Sequence, residues 1–143
     1  MSMLGRLFGG EKEERLPLDP SSPAAARLER QRGTVEEFTH KVHDKLEFVP
    51  GERAIYVFIG KPPDMFGIAW LENGEEHNFK RLMKDKGLSQ REVQIRSDEL
   101  RAAWLRHKDE PRYQAEFAGK KVLVTPSPAL ERDVVEIIHR VEA

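Results

Sequence analysis

Cysteine is absent from the sequence of 143 residues. Its absence excludes disulfide bonds, thiolate metal sites and cysteine nucleophiles. An excess of charge of either sign is also missing, because 24 Lys and Arg residues stand against 25 Asp and Glu residues, for a formal net charge of −1. The chain as a whole therefore lacks the basic field that draws a protein to nucleic acid or to an anionic membrane, although this balance is compatible with a local basic patch.

Long apolar runs are missing as well. No stretch of the sequence approaches the roughly 20 apolar residues that a helix needs to cross a bilayer. The first apolar residues, Met3, Leu4, Leu7 and Phe8, fall far short of the apolar region of a signal peptide. These absences, with the lack of cysteine, predict a soluble cytoplasmic protein. A length of 143 residues suits one domain with its own core.

Motifs of the common enzyme classes are missing too. The sequence contains no Gly-x-Gly-x-x-Gly dinucleotide motif, no phosphate-binding loop and no Gly-x-Ser-x-Gly nucleophile elbow. The serines that stand out, Ser89, Ser97 and Ser127, occupy positions typical of helix caps. The sequence therefore predicts no catalytic residue, and catalysis is the least favoured class of function.

The first 22 residues differ in composition from the rest of the chain. Glycines, prolines and a run of charged residues dominate them. Such a segment buries too little apolar surface to offset the entropy that is lost when it is ordered. We expect residues 1–22 to form a flexible N-terminal tail and residues 23–143 to form a single α+β domain.

Four helix starts are predicted from capping patterns. Ser22-Pro23 and Ser127-Pro128 each place a serine before a proline, an arrangement typical of the first residues of a helix. Thr34 and Ser89 each precede a glutamate by three residues, as in a capping box.

Apolar residues follow the helical period after these starts. One helix is predicted over residues 35–47, with an apolar stripe made by Val35, Phe38, Val42 and Leu46. Another is predicted over residues 90–108. The last helix has a stripe made by Leu130, Val134, Ile137, Ile138 and Val141.

Three apolar segments predict strands. They are residues 54–59, 66–71 and 122–125, which are rich in β-branched and aromatic side chains. The first two are expected to pair in antiparallel fashion. Asn73-Gly74 follows the second segment and predicts a tight hairpin turn.

Two further segments each allow two interpretations. Residues 75–79 form either an edge strand or the start of a helix, and residues 112–117 form either one strand of a hairpin, which we prefer, or a short helix. With these elements we expect a two-layer α+β fold, in which amphipathic helices pack on a mostly antiparallel sheet of three to five strands.

Four side chains of the predicted helix 35–47 are candidate metal ligands. Helical spacing places Glu36, His40, His43 and Glu47 on one face, away from the apolar stripe. Two imidazoles three residues apart, with flanking carboxylates, are donors that suit a divalent cation. The alternative is a solvated face with ordinary glutamate–histidine pairs. No other cofactor is predicted.

Residues 87–93 read Gly-Leu-Ser-Gln-Arg-Glu-Val, which resembles the start of a helix-turn-helix segment in DNA-binding repressors. The following Gln94, Ser97 and Asp98 depart from that motif, which requires a small residue and a turn glycine in this region. The cations of the helix predicted over 90–108 also surround it, whereas a helix that tracks phosphates clusters them. Nucleic-acid binding is therefore an alternative and not the main hypothesis.

The main hypothesis is a non-catalytic module that binds another protein, which the sequence does not identify. If residues 75–79 form an unpaired sheet edge, their backbone groups offer a route to self-association or to pairing with a partner strand. Two alternatives stand beside it. One is a nucleic-acid-binding accessory protein, and the other is a protein that binds a metal or a small ligand at the face formed by Glu36, His40, His43 and Glu47.

Overall fold

The computed structural model describes residues 15–142, which contain five helices and six strands. The helices are α1 (Pro23–Arg30), α2 (Arg32–Lys41), α3 (Phe79–Lys86), α4 (Gln90–Arg106) and α5 (Pro128–Glu142). The strands are β1 (Leu46–Pro50), β2 (Ile55–Gly60), β3 (Phe66–Glu72), β4 (Glu75–Asn78), β5 (Tyr113–Phe117) and β6 (Lys120–Val124). Within residues 15–142, no helix has the length and apolar character needed to span a bilayer.

All six strands join one sheet in the order β4-β3-β2-β1-β6-β5. Four of the pairings are antiparallel, and the pairing of β1 with β6 is parallel. The predicted α+β class and the antiparallel pairing of β2 with β3 are confirmed. The predicted count of three to five strands is too low, because the sequence pattern of β1 indicates the end of a helix, and the parallel pairing was not anticipated.

Helices cover both faces of the sheet. On one face, α1 and α2 pack against strand residues in a cluster that includes Leu28, Val35, Phe38, Phe48, Val57 and Val124. On the other face, α3, α4 and α5 pack in a second cluster that includes Phe58, Trp70, Leu82, Leu100, Leu130 and Ile138. The structure therefore has three layers, which corrects the predicted two-layer arrangement. Strands buried on both faces need an apolar side chain at nearly every position, as in β2.

The two helical layers do not cover the same strands. The cluster beneath α1 and α2 extends to Phe117 on β5 and to Val122 and Val124 on β6. The cluster beneath α3, α4 and α5 contains side chains of β1, β2 and β3 but none of β5 or β6. On that side of the sheet, the described helices therefore leave β6 and β5 uncovered.

Three of the four predicted helix starts are confirmed by their caps. The side chains of Ser22, Ser89 and Ser127 each accept a hydrogen bond from the backbone N–H three residues later, at 3.2, 3.1 and 3.1 Å. These bonds satisfy donors that have no partner within the helix. The prediction for Thr34 is wrong, because α2 already begins at Arg32, immediately after the end of α1.

The predicted helix over residues 35–47 is wrong in its last part. α2 ends at Lys41, and the backbone of Val42 is extended, with φ −102° and ψ 123°. Leu46–Pro50 forms β1 near the centre of the sheet, where all five residues are buried. The spacing of Val42 and Leu46 fits a helical stripe by coincidence, and pairing with a strand on each side overrides it.

Both segments with two interpretations contain edge strands. Residues 75–78 form β4 and α3 begins at Phe79, so this segment holds both the strand and the start of the helix. The preferred hairpin is confirmed, because β5 pairs with β6. Tight turns close the hairpins β3–β4 and β5–β6, with positive φ at Asn73 (54°), Gly74 (77°), Ala118 (52°) and Gly119 (76°). Positive φ at both central residues is typical of type I′ turns.

Residues 15–22 belong to the predicted tail and are described by the structure. The N–H of Leu18 donates to the carbonyl of Gln114, and the N–H of Gln114 donates to the carbonyl of Leu16, both at 2.9 Å. This short parallel bridge lies on the outer edge of β5, and Pro20 cannot extend it because proline has no N–H. Residues 1–14 lie outside the described residues. Their flexibility and the single-domain boundary at residue 23 stay predictions.

Candidate binding cleft

A cleft of about 1060 Å³ lies beside the uncovered strands β6 and β5. Residues of β1, β6 and the start of β5 line it, together with Trp104 near the end of α4, the segment 108–111 and the loop 60–62. Its volume is at the upper end of the range typical of small-molecule pockets. The cleft is therefore large enough for several residues of a bound chain.

The strand register explains why polar side chains line this part of the sheet. Gln114 pairs with Leu123, and Leu123 pairs with Glu47. Glu47 lies opposite Phe58, which belongs to the core beneath α3, α4 and α5. Because cross-strand neighbours share a face of the sheet, all four residues point to that side. Lys121 lies two residues before Leu123 and so points the same way.

Glu47 and Arg112 form a buried ion pair in this cleft. Their side chains are only 6% and 5% exposed, and Nε of Arg112 lies 2.9 Å from Oε2 of Glu47. The same oxygen accepts a hydrogen bond from the hydroxyl of Thr125 at 2.5 Å, and Oε1 accepts one from the indole N–H of Trp104 at 3.1 Å. Each carboxylate oxygen thus has a donor, which offsets the cost of burying the charge.

Arg112 is held from several sides, and one of its nitrogens has no acceptor. Nη1 donates to the carbonyls of Lys108 and Glu110 at 2.9 and 3.0 Å. The guanidinium carbon lies 4.7 Å from the centre of the Trp104 ring. Nη2 is buried, and no group among residues 15–142 accepts a hydrogen bond from it. Arg112 therefore lines the cleft with the N–H donors of Nη2 unused.

Positive charge dominates the lining of the cleft. Of the residues in 15–142, seven Lys and Arg and four Asp and Glu line it, although the net charge of the chain is −1. Lys45, Lys61, Lys108 and Lys121 are exposed, and none of these four lysines forms an ion pair with another residue in 15–142. Their ammonium groups are accessible to an anion from solvent.

Lys120 has a different role from the four exposed lysines. Its Nζ donates to the carbonyls of Val42 and Asp44 at 2.7 and 2.5 Å. Partial burial lowers the pKa of Lys120, and the nearby carboxylate of Asp44 opposes this shift. These bonds tie the segment between α2 and β1 to the start of β6. Lys120 therefore helps to shape the cleft.

The four predicted metal ligands do not share one helical face. Glu36 and His40 lie on α2, His43 lies in the segment that follows it, and Glu47 lies in β1. Glu36 is paired with Arg32 at 2.7 Å, and Glu47 is bound as described above. No group of three or more His, Asp or Glu side chains that could hold a metal occurs in residues 15–142. Metal binding by these residues stays a prediction, but the helical face on which it depended is not present.

Glu47, Arg112 and Trp104 were not predicted to form one cluster. The ring of Trp104 is partly buried, and it contacts both the core cluster beneath α3, α4 and α5 and the guanidinium of Arg112. One signal was available, since polar and apolar residues alternate through β5. That alternation is typical of a strand with one covered and one open face.

A second polar cluster joins the C-terminal end of α4 to the first half of α5. Oδ2 of Asp133 lies 2.8 Å from Nε2 of His107 and accepts a hydrogen bond from Arg106 at 3.1 Å. Burial alone would raise the pKa of Asp133, but the hydrogen bonds from His107 and Arg106, with their charges, hold it below its ordinary value. Because these charges satisfy one another, the cluster links two helices and offers no unpaired group to a ligand.

Comparison of the chain with protein-family models, with curated proteins and with solved structures found no match. Only the geometry and the charge of the cleft therefore bear on its function.

Proposed function

We propose that the protein is a non-catalytic interaction module that binds an acidic segment of a partner protein in this cleft. The observation that carries the proposal is the excess of basic residues among residues 15–142, where seven Lys and Arg stand against four Asp and Glu. These residues lie beside strands that no helix of the described part of the chain covers on that side. Charge complementarity of this kind speeds the encounter with an acidic partner and orients it.

Two acid–base groups of the cleft, Glu47 and Lys120, support binding in preference to catalysis because both are hydrogen-bonded within the protein. Glu47 accepts hydrogen bonds from Thr125, Trp104 and Arg112, and Lys120 donates to two backbone carbonyls. A general base or a nucleophile needs a lone pair that is directed at the substrate. In this cleft, the buried carboxylate instead holds the lining in place.

Two features favour an acidic protein segment over a nucleic acid. Asp44, Asp109 and Glu110 line the cleft together with the lysines and would repel a continuous phosphate backbone. One face of the Trp104 ring is covered by the guanidinium of Arg112, which blocks that face for the base stacking that single-stranded nucleic acids require. An acidic peptide carries its carboxylates on flexible side chains, which can turn away from these acidic residues and pair with individual lysines.

Binding of a fluorescently labelled decaglutamate peptide tests the proposal. The double variant Lys108→Glu with Lys121→Glu reverses two exposed charges of the cleft. We expect saturable binding to the unaltered protein and about thirtyfold weaker binding to the variant, since two reversals of solvent-exposed charges, each costing on the order of 1 kcal/mol in water, together cost about 2 kcal/mol.

The matched control is Lys80→Glu with Lys84→Glu. Both residues are exposed on α3 and do not line the cleft, and the change in net charge is the same. We expect its affinity to stay within about twofold of the unaltered protein, because solvent screens distant charges. Absence of saturable binding, or equal losses in both double variants, would overturn the proposal. Tighter binding of an oligothymidylate than of the peptide would overturn it in favour of a nucleic-acid partner.

A further inference from the structure

We infer that Arg112 recognises a side-chain carboxylate of the bound acidic segment through its Nη2 nitrogen. The inference rests on the proposed function and adds to it the residue and the chemical group that give specificity. It starts from one observation, that a buried arginine lining a basic cleft has a nitrogen with no acceptor in residues 15–142.

The remaining contacts of Arg112 hold its guanidinium in one orientation. Nε is bound to Glu47, Nη1 is bound to two carbonyls, and the Trp104 ring packs 4.7 Å from the guanidinium carbon. Only Nη2 is left to interact with a ligand. A guanidinium that is already fixed loses little further entropy when it binds an acceptor, which favours recognition of one defined group.

The local charge favours a carboxylate over a phosphate. Arg112 is already paired with the carboxylate of Glu47 at 2.9 Å, so the buried pair supplies hydrogen-bond donors and little net charge. A phosphate dianion would bring two negative charges close to Glu47, whereas a carboxylate brings one. The exposed lysines supply the attraction for the other acidic groups of the segment.

The number of exposed lysines favours side-chain carboxylates over the end of a chain. Lys45, Lys61, Lys108 and Lys121 lie around the same cleft. A single chain-terminal carboxylate neutralises one positive charge and leaves the others without a partner. A run of Asp or Glu side chains places one carboxylate at Arg112 and further carboxylates at the lysines.

Trp104 provides a reporter in the unaltered protein. Its indole N–H donates to Glu47, while the indole N–H of Trp70 donates to Glu142 at 2.9 Å in the core beneath α5. Because Nη2 is buried, a carboxylate reaches it only when a lining side chain moves. We expect an acetylated, amidated decaglutamate peptide to shift the Trp104 indole signal in a ¹H–¹⁵N spectrum and to leave the Trp70 signal in place.

Two comparison ligands identify the chemical group. Inorganic phosphate at equal ionic strength tests for a phosphate site, and an acetylated polyserine peptide with a free C-terminus tests for a chain-terminal carboxylate. We expect neither to shift the Trp104 signal as far as the glutamate peptide does. An equal shift with either ligand, or equal shifts of the two tryptophans, would overturn the inference.

Arg112→Lys tests the role of Nη2, because lysine keeps the charge and lacks the planar guanidinium. We expect the affinity for the glutamate peptide to fall by about tenfold. The control is Thr125→Val, which removes a different donor to Glu47 and leaves Arg112 intact. We expect it to lower thermal stability and to keep the affinity within about twofold.

The outcomes separate this inference from the proposed function. Binding that weakens in the Lys108/Lys121 double variant and is unchanged in Arg112→Lys would overturn the inference and leave the proposed function standing. An equal loss in Thr125→Val and Arg112→Lys would assign the effect to a loosened Glu47 and would also overturn it. Absence of peptide binding would overturn both the inference and the proposed function. If Arg112→Lys does not fold, the Trp104 signal of the unaltered protein decides.

Discussion

Glu47 is buried as a charged side chain because three hydrogen-bond donors bind its carboxylate. The first donor, Arg112, lies in the segment after α4. The second, Thr125, lies at the end of β6, and the third, Trp104, lies in α4 itself. Each donor therefore reaches β1 from a different part of the chain. Removing one partner of such a pair leaves a buried charge without compensation, which typically costs about 3–5 kcal/mol.

Glu47→Gln should therefore lower stability strongly. Glutamine keeps the size of the side chain but removes the charge that balances Arg112, and we expect the free energy of unfolding to fall by about 3 kcal/mol. Urea unfolding followed by circular dichroism measures it. The control is Glu116→Gln, an exposed position on β5, where we expect a change below about 0.5 kcal/mol. Equal effects at the two positions would contradict the role assigned to the buried pair.

Gly51 is required by close approach in the loop that joins β1 to β2. A Cβ at this position would lie 2.8 Å from the carbonyl oxygen of Ala54 and 2.9 Å from Oε2 of Glu131. The side chain of Glu131 can move, but the backbone of Ala54 is held by the hydrogen bond from Gly51 N–H at 2.9 Å. The loop therefore has no room for a side chain at residue 51.

Gly51→Ala should lower the free energy of unfolding by about 1–3 kcal/mol, the usual cost of overpacking. Gly33→Ala is the matched control, because Gly33 lies in α2 and a Cβ there meets nothing within 4 Å. We expect that control to be neutral or to stabilise by up to about 1 kcal/mol through helix propensity. Thermal unfolding of the two variants side by side checks the pair, and a stabilised Gly51→Ala would contradict the geometry.

Single residues were predictable from the sequence where their partners are local. The capping serines Ser22, Ser89 and Ser127 bind the backbone three residues away, so a short window of sequence contains the whole interaction. Glu47 and Arg112 are 65 residues apart, and no local pattern links them. For the same reason, Glu47 was interpreted as a candidate metal ligand on a helical face, with a solvated face as the alternative.

At the scale of elements, α4 and α5 are joined by Asp133, His107 and Arg106. The pKa of Asp133 is held below its ordinary value although burial opposes this. A carboxyl group with a lowered folded-state pKa contributes stability above its unfolded-state pKa, and that contribution is lost as the pH falls through the folded-state value. The contact between the two helices should therefore weaken in acid.

Asp133→Asn tests this dependence. At pH 7 we expect the variant to be less stable than the unaltered protein, and the difference should shrink as the pH falls from about 4 towards about 2. Unfolding midpoints measured across this range check it. The control is Asp109→Asn, an exposed position just beyond α4, whose difference should stay small throughout. A difference for Asp133→Asn that does not change with pH would rule out titration of this carboxyl group as the cause.

Helices and strands were predicted well where the sequence signal is local, and poorly where pairing between distant strands determines the secondary structure. The Asn73-Gly74 turn and the apolar run of β2 were sufficient to place the hairpin of β2 and β3 and the turn that follows it. β1 was missed, although Pro50-Gly51 stands four residues before β2, a spacing compatible with a hairpin. Its parallel partner β6 begins 74 residues after Leu46 in the sequence of 143, and only that pairing makes β1 a central strand.

The edge strand β4 bears on the predicted self-association. Its outer side is partly occupied, because Arg81 donates to the carbonyl of Glu76 at 2.7 Å and Lys41 pairs with the Glu76 side chain. Charged side chains on a short strand are a common protection against edge-to-edge pairing. Self-association through residues 75–79 stays a prediction, and light scattering over a range of concentrations tests it.

For the whole molecule, the unequal covering of the two sheet faces creates the cleft. The sequence indicated amphipathic helices and a sheet, but it did not show that α1 and α2 cover β6 and β5 on one side while α3, α4 and α5 leave them uncovered on the other. Helix placement depends on contacts between distant segments, which a periodicity within one segment cannot reveal. The basic lining was hidden for the same reason, because its lysines come from four separate stretches of a nearly neutral chain.

Added salt should weaken the interactions of the exposed lysines and leave the buried ion pair nearly unchanged. Raising NaCl from about 50 mM to about 500 mM shortens the range of electrostatic interactions by roughly threefold. We expect the affinity for the decaglutamate peptide to fall by about tenfold, because Lys45, Lys61, Lys108 and Lys121 are exposed to solvent. The buried pair of Glu47 and Arg112 is shielded from ions, so the stability that it contributes should change little over the same range.

Titrations at each salt concentration, with double-mutant cycles at the buried pair as the internal control, measure both quantities. An affinity that does not respond to salt would indicate that the peptide is held by the apolar part of the lining, such as Leu123, and would contradict an electrostatic role for the lysines.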